Sequence, residues 1–430
     1  MIDMPQTHFY LSGEDSTNDN LAAYQRLRWP TVAAETDTVK SGLGWWLPSL
    51  GHVPDQAIDL TRIAGAAYLA DRLSGRPTAF TRRLQLTVEV ADPAPWEGQA
   101  ANQLAQLLTW LTGDTWEIEL VQDPTARPAA TSDKSADTVA SVALLSGGLD
   151  SYLGALHLLS TMDDAPLFVG HYDTATAVRR AQNTIRSWLQ ESYKPAPSYT
   201  QIEFTQAAGK KESSSRSRSL LFMALGVAIA SSRQATTLLV PENGFTSLNL
   251  PLHPNRAGAL STRSTHPETF YRVNELLHTL GLSISVTNPF ADYTKGEEMR
   301  LVADGQPPTG WERTAGLTVS CSKLDGARIK GGNSTLNCGL CYACVTRRGS
   351  YIAAEVDDTT IYLSDNLDGN ARDELLERRY SDRAAISYAI ARGIDEYAID
   401  AGTWPPDADL DAISDLAERG LSELREVDLT

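Results

Sequence analysis

The chain has 430 residues, 42% of them hydrophobic, and a formal net charge of −17 with a pI near 4.9. That is length enough for two or three domains with real cores, and an acidic balance that argues against stable binding to a nucleic acid backbone. No apolar run nears the ~20 residues needed to cross a bilayer, and the N-terminus lacks the basic and apolar regions of a signal peptide, so a cytoplasmic protein with no membrane partner is expected.

The first forty-odd residues carry little pattern beyond Phe9-Tyr10 and Trp45-Trp46, and read as an arm or a lid. Leu60, Ile63, Ala67 and Ala70 then recur at helical spacing, with Gly75 and Pro77 as the stop. Leu84, Leu86, Val88 and Val90 alternate as a half-buried strand, Leu104, Leu107, Leu108 and Leu111 mark a helix ended by Gly113, and Trp116, Ile118 and Leu120 alternate again. Residues 1–122 are therefore expected to form an N-terminal α+β accessory domain for docking or lidding. Residues 123–137, rich in Pro, Ala, Ser, Thr and Asp, read as a linker.

Strands are expected next at 142–145, 167–169, 201–204, 237–240 and 283–286. Between them lie helix faces marked by Val178, Ala181, Ile185 and Trp188, by the almost wholly apolar run 218–230, and by Phe270, Val273, Leu277 and Leu280. Strand alternating with helix builds a parallel α/β sheet, whose ligands sit beyond the carboxyl ends of the strands. At the first of those ends stands Ser146-Gly147-Gly148-Leu149-Asp150-Ser151. The glycines let backbone approach a ligand closely, and hydroxyls and N–H groups gather at a helix N-terminus suited to a nucleotide phosphate. It is neither the GxxxxGK[ST] loop nor the GxGxxG turn. An ordinary strand-turn-helix joint is the plainer alternative, with Asp150 and Ser151 as first-turn residues.

Other strand ends carry His171-Tyr172-Asp173, Gly209-Lys210-Lys211 and Arg216-Ser217-Arg218. Arg218 at a helix N-terminus suits an anion, unless these cations are a solvated basic loop. His171 is assigned a nucleotide-side contact without acid or base duty, the alternative being a satisfied structural histidine. The loop 241–266 has no period and carries Glu242, Asn243, Asn249, Arg256, Arg263 and His266. An acid and amides suit the hydrogen-bonding edge of a heterocycle, and an arginine suits a carboxylate, which is how a small heteroaromatic acid would be held; a self-tied Ω-loop is the alternative. Lys295, in Thr294-Lys295-Gly296-Glu297, reads either as a ligand of departing pyrophosphate or as a surface lysine.

All four cysteines fall between 321 and 344, as Cys321, Cys338, Cys341 and Cys344. Four thiolates complete a closed tetrahedral zinc site, structural because no coordination position stays open. An iron–sulfur cluster is the competing occupant.

SGGLDS, the HYD strand end, the Arg218-led helix, TKGE at 294–297 and CGLCYACVTRR at 338–348 occur in an order that resembles the QueC family, the 7-cyano-7-deazaguanine synthases, over about residues 141–350. The resemblance implies a PP-loop (adenine nucleotide alpha hydrolase-like) domain at 138–355 with a four-cysteine zinc element. It implies ATP and Mg2+ as cofactors, and a 7-deazapurine carboxylate, such as 7-carboxy-7-deazaguanine, adenylated and then attacked by an amine. Ser146, Gly147, Gly148, Asp150 and Ser151 would bind pyrophosphate and Lys295 would assist. The family's Tyr-Pro-Asp-Cys-Arg segment is replaced by Ser261-Thr262-Arg263-Ser264-Thr265-His266-Pro267, where Arg263 keeps a carboxylate contact. The N-terminal domain and an acidic helical extension at 356–430, with Leu410, Ile413, Leu416 and Leu424 on one face, are additions. Such additions look like those of QueC-like proteins in Qat-type antiphage defence operons, where a protein encoded in the same operon supplies the amine. The alternative class is a catalytically inactive scaffold in such a complex.

Overall fold

The computed structural model describes residues 7–13, 24–76, 81–131, 137–207, 209, 211–212, 216–254 and 263–429. The chain opens with β1 (Thr7–Ser12), β2 (Gln25–Arg28), β3 (Ala34–Glu35) and β4 (Val39–Ser41), then α1 (Asp55–Leu73), β5 (Arg83–Val90), α2 (Gln99–Thr112) and β6 (Thr115–Gln122). A second run follows: β7 (Ser141–Leu144), α3 (Leu149–Thr161), β8 (Leu167–Tyr172), α4 (Thr176–Ser192), β9 (Tyr199–Gln206), α5 (Arg218–Ser232) and β10 (Thr237–Leu239). Then come α6 (Gly244–Ser247), α7 (Pro267–Thr279), β11 (Ser285–Thr287), α8 (Lys295–Asp304), α9 (Trp311–Gly316) and α10 (Tyr342–Ala354). The last stretch adds α11 (Gly369–Arg378), α12 (Tyr380–Arg392), α13 (Glu396–Asp400) and α14 (Leu410–Arg425). The strands and helices expected between 57 and 286 all form, with ends shifted by a few residues.

Successive strand residues face opposite ways, so Val142 and Leu144 enter one core while Ala143 and Leu145 enter another. The first core lies under α1, α2, α5 and α7; the second lies under α3, α4, α8 and α9. Among the described residues two sheets form, a four-stranded one in the order β2-β1-β5-β6 and a seven-stranded one in the order β11-β10-β7-β8-β9-β4-β3. The four-stranded sheet is wholly parallel, as are the neighbouring strands from β11 to β9. β4 runs antiparallel to β9, with Val39 opposite Gln206, and β3 antiparallel to β4.

The first 122 residues depart from the expected accessory α+β domain. Their larger sheet is parallel, and β3 and β4 belong to the seven-stranded sheet. α1, with all but three of its 19 residues buried, packs on α5, and a single core runs through both segments. The cause is visible in the side chains: α5 is apolar nearly all round and needs cover on every side, and the apolar residues of α1, from Ala57 to Leu73, supply part of that cover. The segment read as a linker also starts anchored. Trp45 Nε1 donates to Asp123 Oδ2 at 2.6 Å, and the buried guanidinium of Arg62 lies 3.2 Å from the same oxygen. Among the described residues no helix is long and apolar enough to cross a membrane.

Candidate active site and metal centre

β7 hands the chain to β8 on one side, whereas β10, reached through α5, returns to its other side. The strand order therefore reverses between β7 and β10, the position at which an open α/β sheet forms its crevice. Asp150 arrives there from the turn after β7, Glu242 and Asn243 from the segment after β10, and Lys295 from the helix after β11.

These side chains converge. Lys295 Nζ lies 2.6 Å from Asp150 Oδ2, while Asn243 Nδ2 donates to Asp150 Oδ1 at 2.9 Å and to Glu242 Oε1 at 3.4 Å. Thr246 Oγ1 stands 3.2 Å from Glu242 Oε1. Asp150, Asn243 and Lys295 are buried. Burial pushes the Asp150 carboxyl up, but the ammonium of Lys295 more than reverses this and holds it below the usual carboxylate range. Burial likewise pulls Lys295 down, and Asp150 with its acidic neighbours lifts it above the usual lysine value. Glu242, desolvated and facing the Asp150 charge, is pushed up to about 8.

A fifth member was not singled out from the sequence. Glu298 on α8 is fully buried, and among the described residues neither carboxyl oxygen accepts a hydrogen bond. Burial, then the adjacent Asp150 charge, raise its pKa well above the ordinary value. Two facing carboxylates have no hydrogen between them, so a proton on Glu298 is what reconciles the pair. The cluster thus combines one ion pair with two carboxyls whose burial and neighbouring charge favour the protonated form. The Glu-Glu doublet was readable, but the capping box over Thr294 and Glu297 uses only its first member.

The glycine turn is built as the sequence implied. Gly147 has φ 92°, a conformation glycine adopts without strain, and Gly148 is the N-cap of α3, so the cap residue itself offers no side-chain acceptor to the first turn. Ser151 Oγ donates to Gly148 O at 3.0 Å and lies 3.1 Å from Ser146 Oγ. The turn is braced from a distant segment: Val319 N donates to Gly147 O at 2.9 Å, and Leu149 N to Ser320 Oγ at 3.3 Å. Arg347 of α10 holds that brace. It is fully buried and donates to Thr318 Oγ1 at 2.7 Å, Ala315 O at 2.6 Å and Thr360 Oγ1 at 2.8 Å. Its position inside CYACVTRR was visible in the sequence, its task was not.

One residue past Ser320 stands Cys321. The sulfurs of Cys321, Cys338, Cys341 and Cys344 are buried, unoxidised and all within 4.8 Å of one another. The Cys321–Cys341 and Cys338–Cys344 separations are both 3.8 Å. A tetrahedral ion with metal–sulfur bonds of ~2.3 Å has sulfur–sulfur edges of about 3.8 Å, so the four could hold a metal such as zinc. Charge-compensating donors surround them: Cys341 N points at Cys338 Sγ at 3.2 Å, Lys323 N at Cys321 Sγ at 3.4 Å, and Arg379 Nε at Cys338 Sγ at 3.4 Å. Leu363, Leu367 and Leu375 close the apolar shell.

Three residues assigned to the site are placed elsewhere. His171 is buried, donates from Nε2 to Phe204 O at 3.0 Å and lies against Phe222 on the α5 side of the sheet. Burial pushes it down to about 4, which favours the neutral ring, and its contacts lie on Phe204 and Phe222 apart from the hydrogen bonds of the Asp150 cluster. Arg263 donates to Trp110 O at 3.0 Å and lies 4.0 Å over that indole, which satisfies the cation on α2 and leaves no contact with the Asp150 cluster. Arg218 does stand at a strand end, but 3.8 Å from Asp173 and half-buried, apart from the cluster's hydrogen bonds. Lys210, Arg256, Ser261 and Thr262 lie outside the described residues. A cavity of about 250 Å³ opens beside α6, lined by residues that include Ser247, Phe270, Val286 and Asn288.

No protein-family model and no curated protein sequence matches the chain.

Proposed function

We propose that the protein is an ATP-dependent carbon–nitrogen ligase of QueC-like, PP-loop type, which adenylates a 7-deazapurine carboxylate and passes the acyl group to an amine. One observation carries the reading: a buried Asp150–Lys295 pair with Asn243 and the carboxyls of Glu242 and Glu298, gathered at the strand-order reversal directly behind the glycine turn. A purely structural joint has no use for an ammonium held within the fold at that point, because ionising a buried group is costly. Adenylation joins a substrate carboxylate oxygen to the α-phosphorus of ATP and breaks its bond to the β-phosphate oxygen, releasing pyrophosphate. The N–H groups of the glycine turn would take the phosphate charge, with Lys295 exchanging Asp150 for departing pyrophosphate. Magnesium enters with the nucleotide and spreads phosphate charge. The amine then displaces AMP from the acyl carbon. The cavity beside α6 is where the flat heterocycle would lodge. In this reading the bound metal is zinc and purely structural, bracing the glycine turn through Ser320 and Arg347.

The acceptor amine is ammonia or a protein of the same defence operon, as the extensions at both ends suggest. The test is AMP release from Mg-ATP with and without 7-carboxy-7-deazaguanine, on wild type and Asp150→Ala. Acid-dependent release that the substitution abolishes supports the ligase. Mg-ATP that binds but is never cleaved, with every acid and candidate partner tried, makes the scaffold the better reading.

A further inference from the structure

The element that fixes Lys295 comes from the far end of the chain. Lys295 is the first residue of α8, and the N–H groups of a first helical turn need acceptors. Thr294 supplies one to Glu297 N at 3.2 Å, and Glu297 returns a bond to Thr294 N at 2.8 Å. The amide of Gly296 is satisfied by neither. It donates to Glu423 of α14, at 3.0 Å to Oε1 and 3.1 Å to Oε2, and the Thr294 hydroxyl donates to the same carboxylate. Gly296 leaves room for this approach, since a Cβ there would collide with Glu423. Arg419, one turn earlier on α14, pairs with Glu297 and donates to Asp292 O at 3.2 Å. Glu423 is buried, and its own carbonyl packs against Gly349 of α10, while Gly420 sits on Phe245 of α6. One helix thus touches the three elements that carry or adjoin Asn243, Lys295 and the cysteines.

We propose that Glu423 is a positioning residue for the active site: it caps α8 from outside and holds Lys295 at Asp150, so the C-terminal helix sets the geometry of the phosphate-binding ammonium. The inference deepens the ligase reading and rests on Lys295 being the phosphate ligand. It also makes α14 the route by which a protein bound to the tail would act on the site.

The full-length protein tests it through the Lys295 amine itself. Acetic anhydride labelling read by mass spectrometry is compared between wild type, Glu423→Gln and Glu423→Asp, with the half-exposed Lys323 of the same molecule as internal reference. Losing charge-assisted bonds at a helix start should raise Lys295 labelling about tenfold relative to Lys323 in Glu423→Gln, and weaken Mg-ATP binding by a similar factor. Glu423→Asp, which keeps the charge, should recover part of both. Unchanged Lys295 labelling in a folded Glu423→Gln protein overturns the proposal. If that variant does not fold, Arg419→Ala replaces it, with a smaller rise of about threefold expected and no rise counting against. Wild type that shows no Mg-ATP binding would remove the ligase reading, while the labelling ratio still decides the role of Glu423.

Discussion

Lys295 and Asp150 are 145 residues apart in the sequence and 2.6 Å apart in the fold, both buried, each holding the other in its charged form. Breaking one side of such a pair leaves an uncompensated charge, which costs roughly 3–5 kcal/mol, whereas replacing both costs far less. Asp150→Asn should therefore lower stability by that order, as should Lys295→Met, and the double change should recover most of the loss while remaining unable to release AMP. Urea denaturation of the two singles and the double gives the coupling; additive losses would show that the pair is not the unit described.

Stability should carry the signature of Glu242. A carboxyl whose folded pKa lies above its unfolded value keeps a proton on folding, so its stabilisation is complete below the unfolded pKa and disappears as pH rises through the folded one. For Glu242 the window runs from 4.5 to about 8. Glu242→Gln should match wild type near pH 4.5 and become progressively more stable than it up to pH 8, by at most ~1.4 kcal/mol per pH unit. Denaturation curves at three pH values decide this, and a constant difference would refute it.

His171→Leu removes a buried hydrogen bond to Phe204 O and should cost about 1–3 kcal/mol. Mg-ATP affinity should stay within about twofold of wild type, because the ring faces Phe222 and not the glycine turn. Calorimetric binding on the folded variant checks it; a tenfold loss of affinity would return the histidine to the nucleotide.

Cys338→Ser should reduce the metal content from one equivalent to a small fraction and cost several kcal/mol, since binding energy at a four-thiolate site is folding energy. Elemental analysis reads the first and thermal melting the second. Because Val319 and Ser320 brace the glycine turn beside Cys321, Mg-ATP affinity should fall together with metal content.

What could be read from the sequence was whatever a short period or a local motif encodes. The strands at 142–145 and 167–169, the glycine turn and the four cysteines all rest on neighbours within a few residues, and all appear. What escaped was long-range. Nothing local says that Arg263 will settle on Trp110, that Glu298 will be buried against Asp150, or that Glu423 will cap α8. Arginines and carboxylates are chosen by partners that only the folded chain supplies. The reach of the first 122 residues escaped for the same reason, because composition marks a linker but does not reveal that β4 has joined β9.

That pairing bears on how the protein is made. Val39 has its partner only when Gln206 has left the ribosome, so the opening segment cannot finish its sheet while it is the only part synthesised. Glu423 lies 127 residues beyond Gly296, so α8 is made well before the residue that caps it. Non-local pairings of this kind fold slowly and expose apolar edges in the meantime. A nascent chain therefore emerges with an unfinished first core and an uncapped lysine helix, and a helix made well after them completes a site whose other parts are already in place.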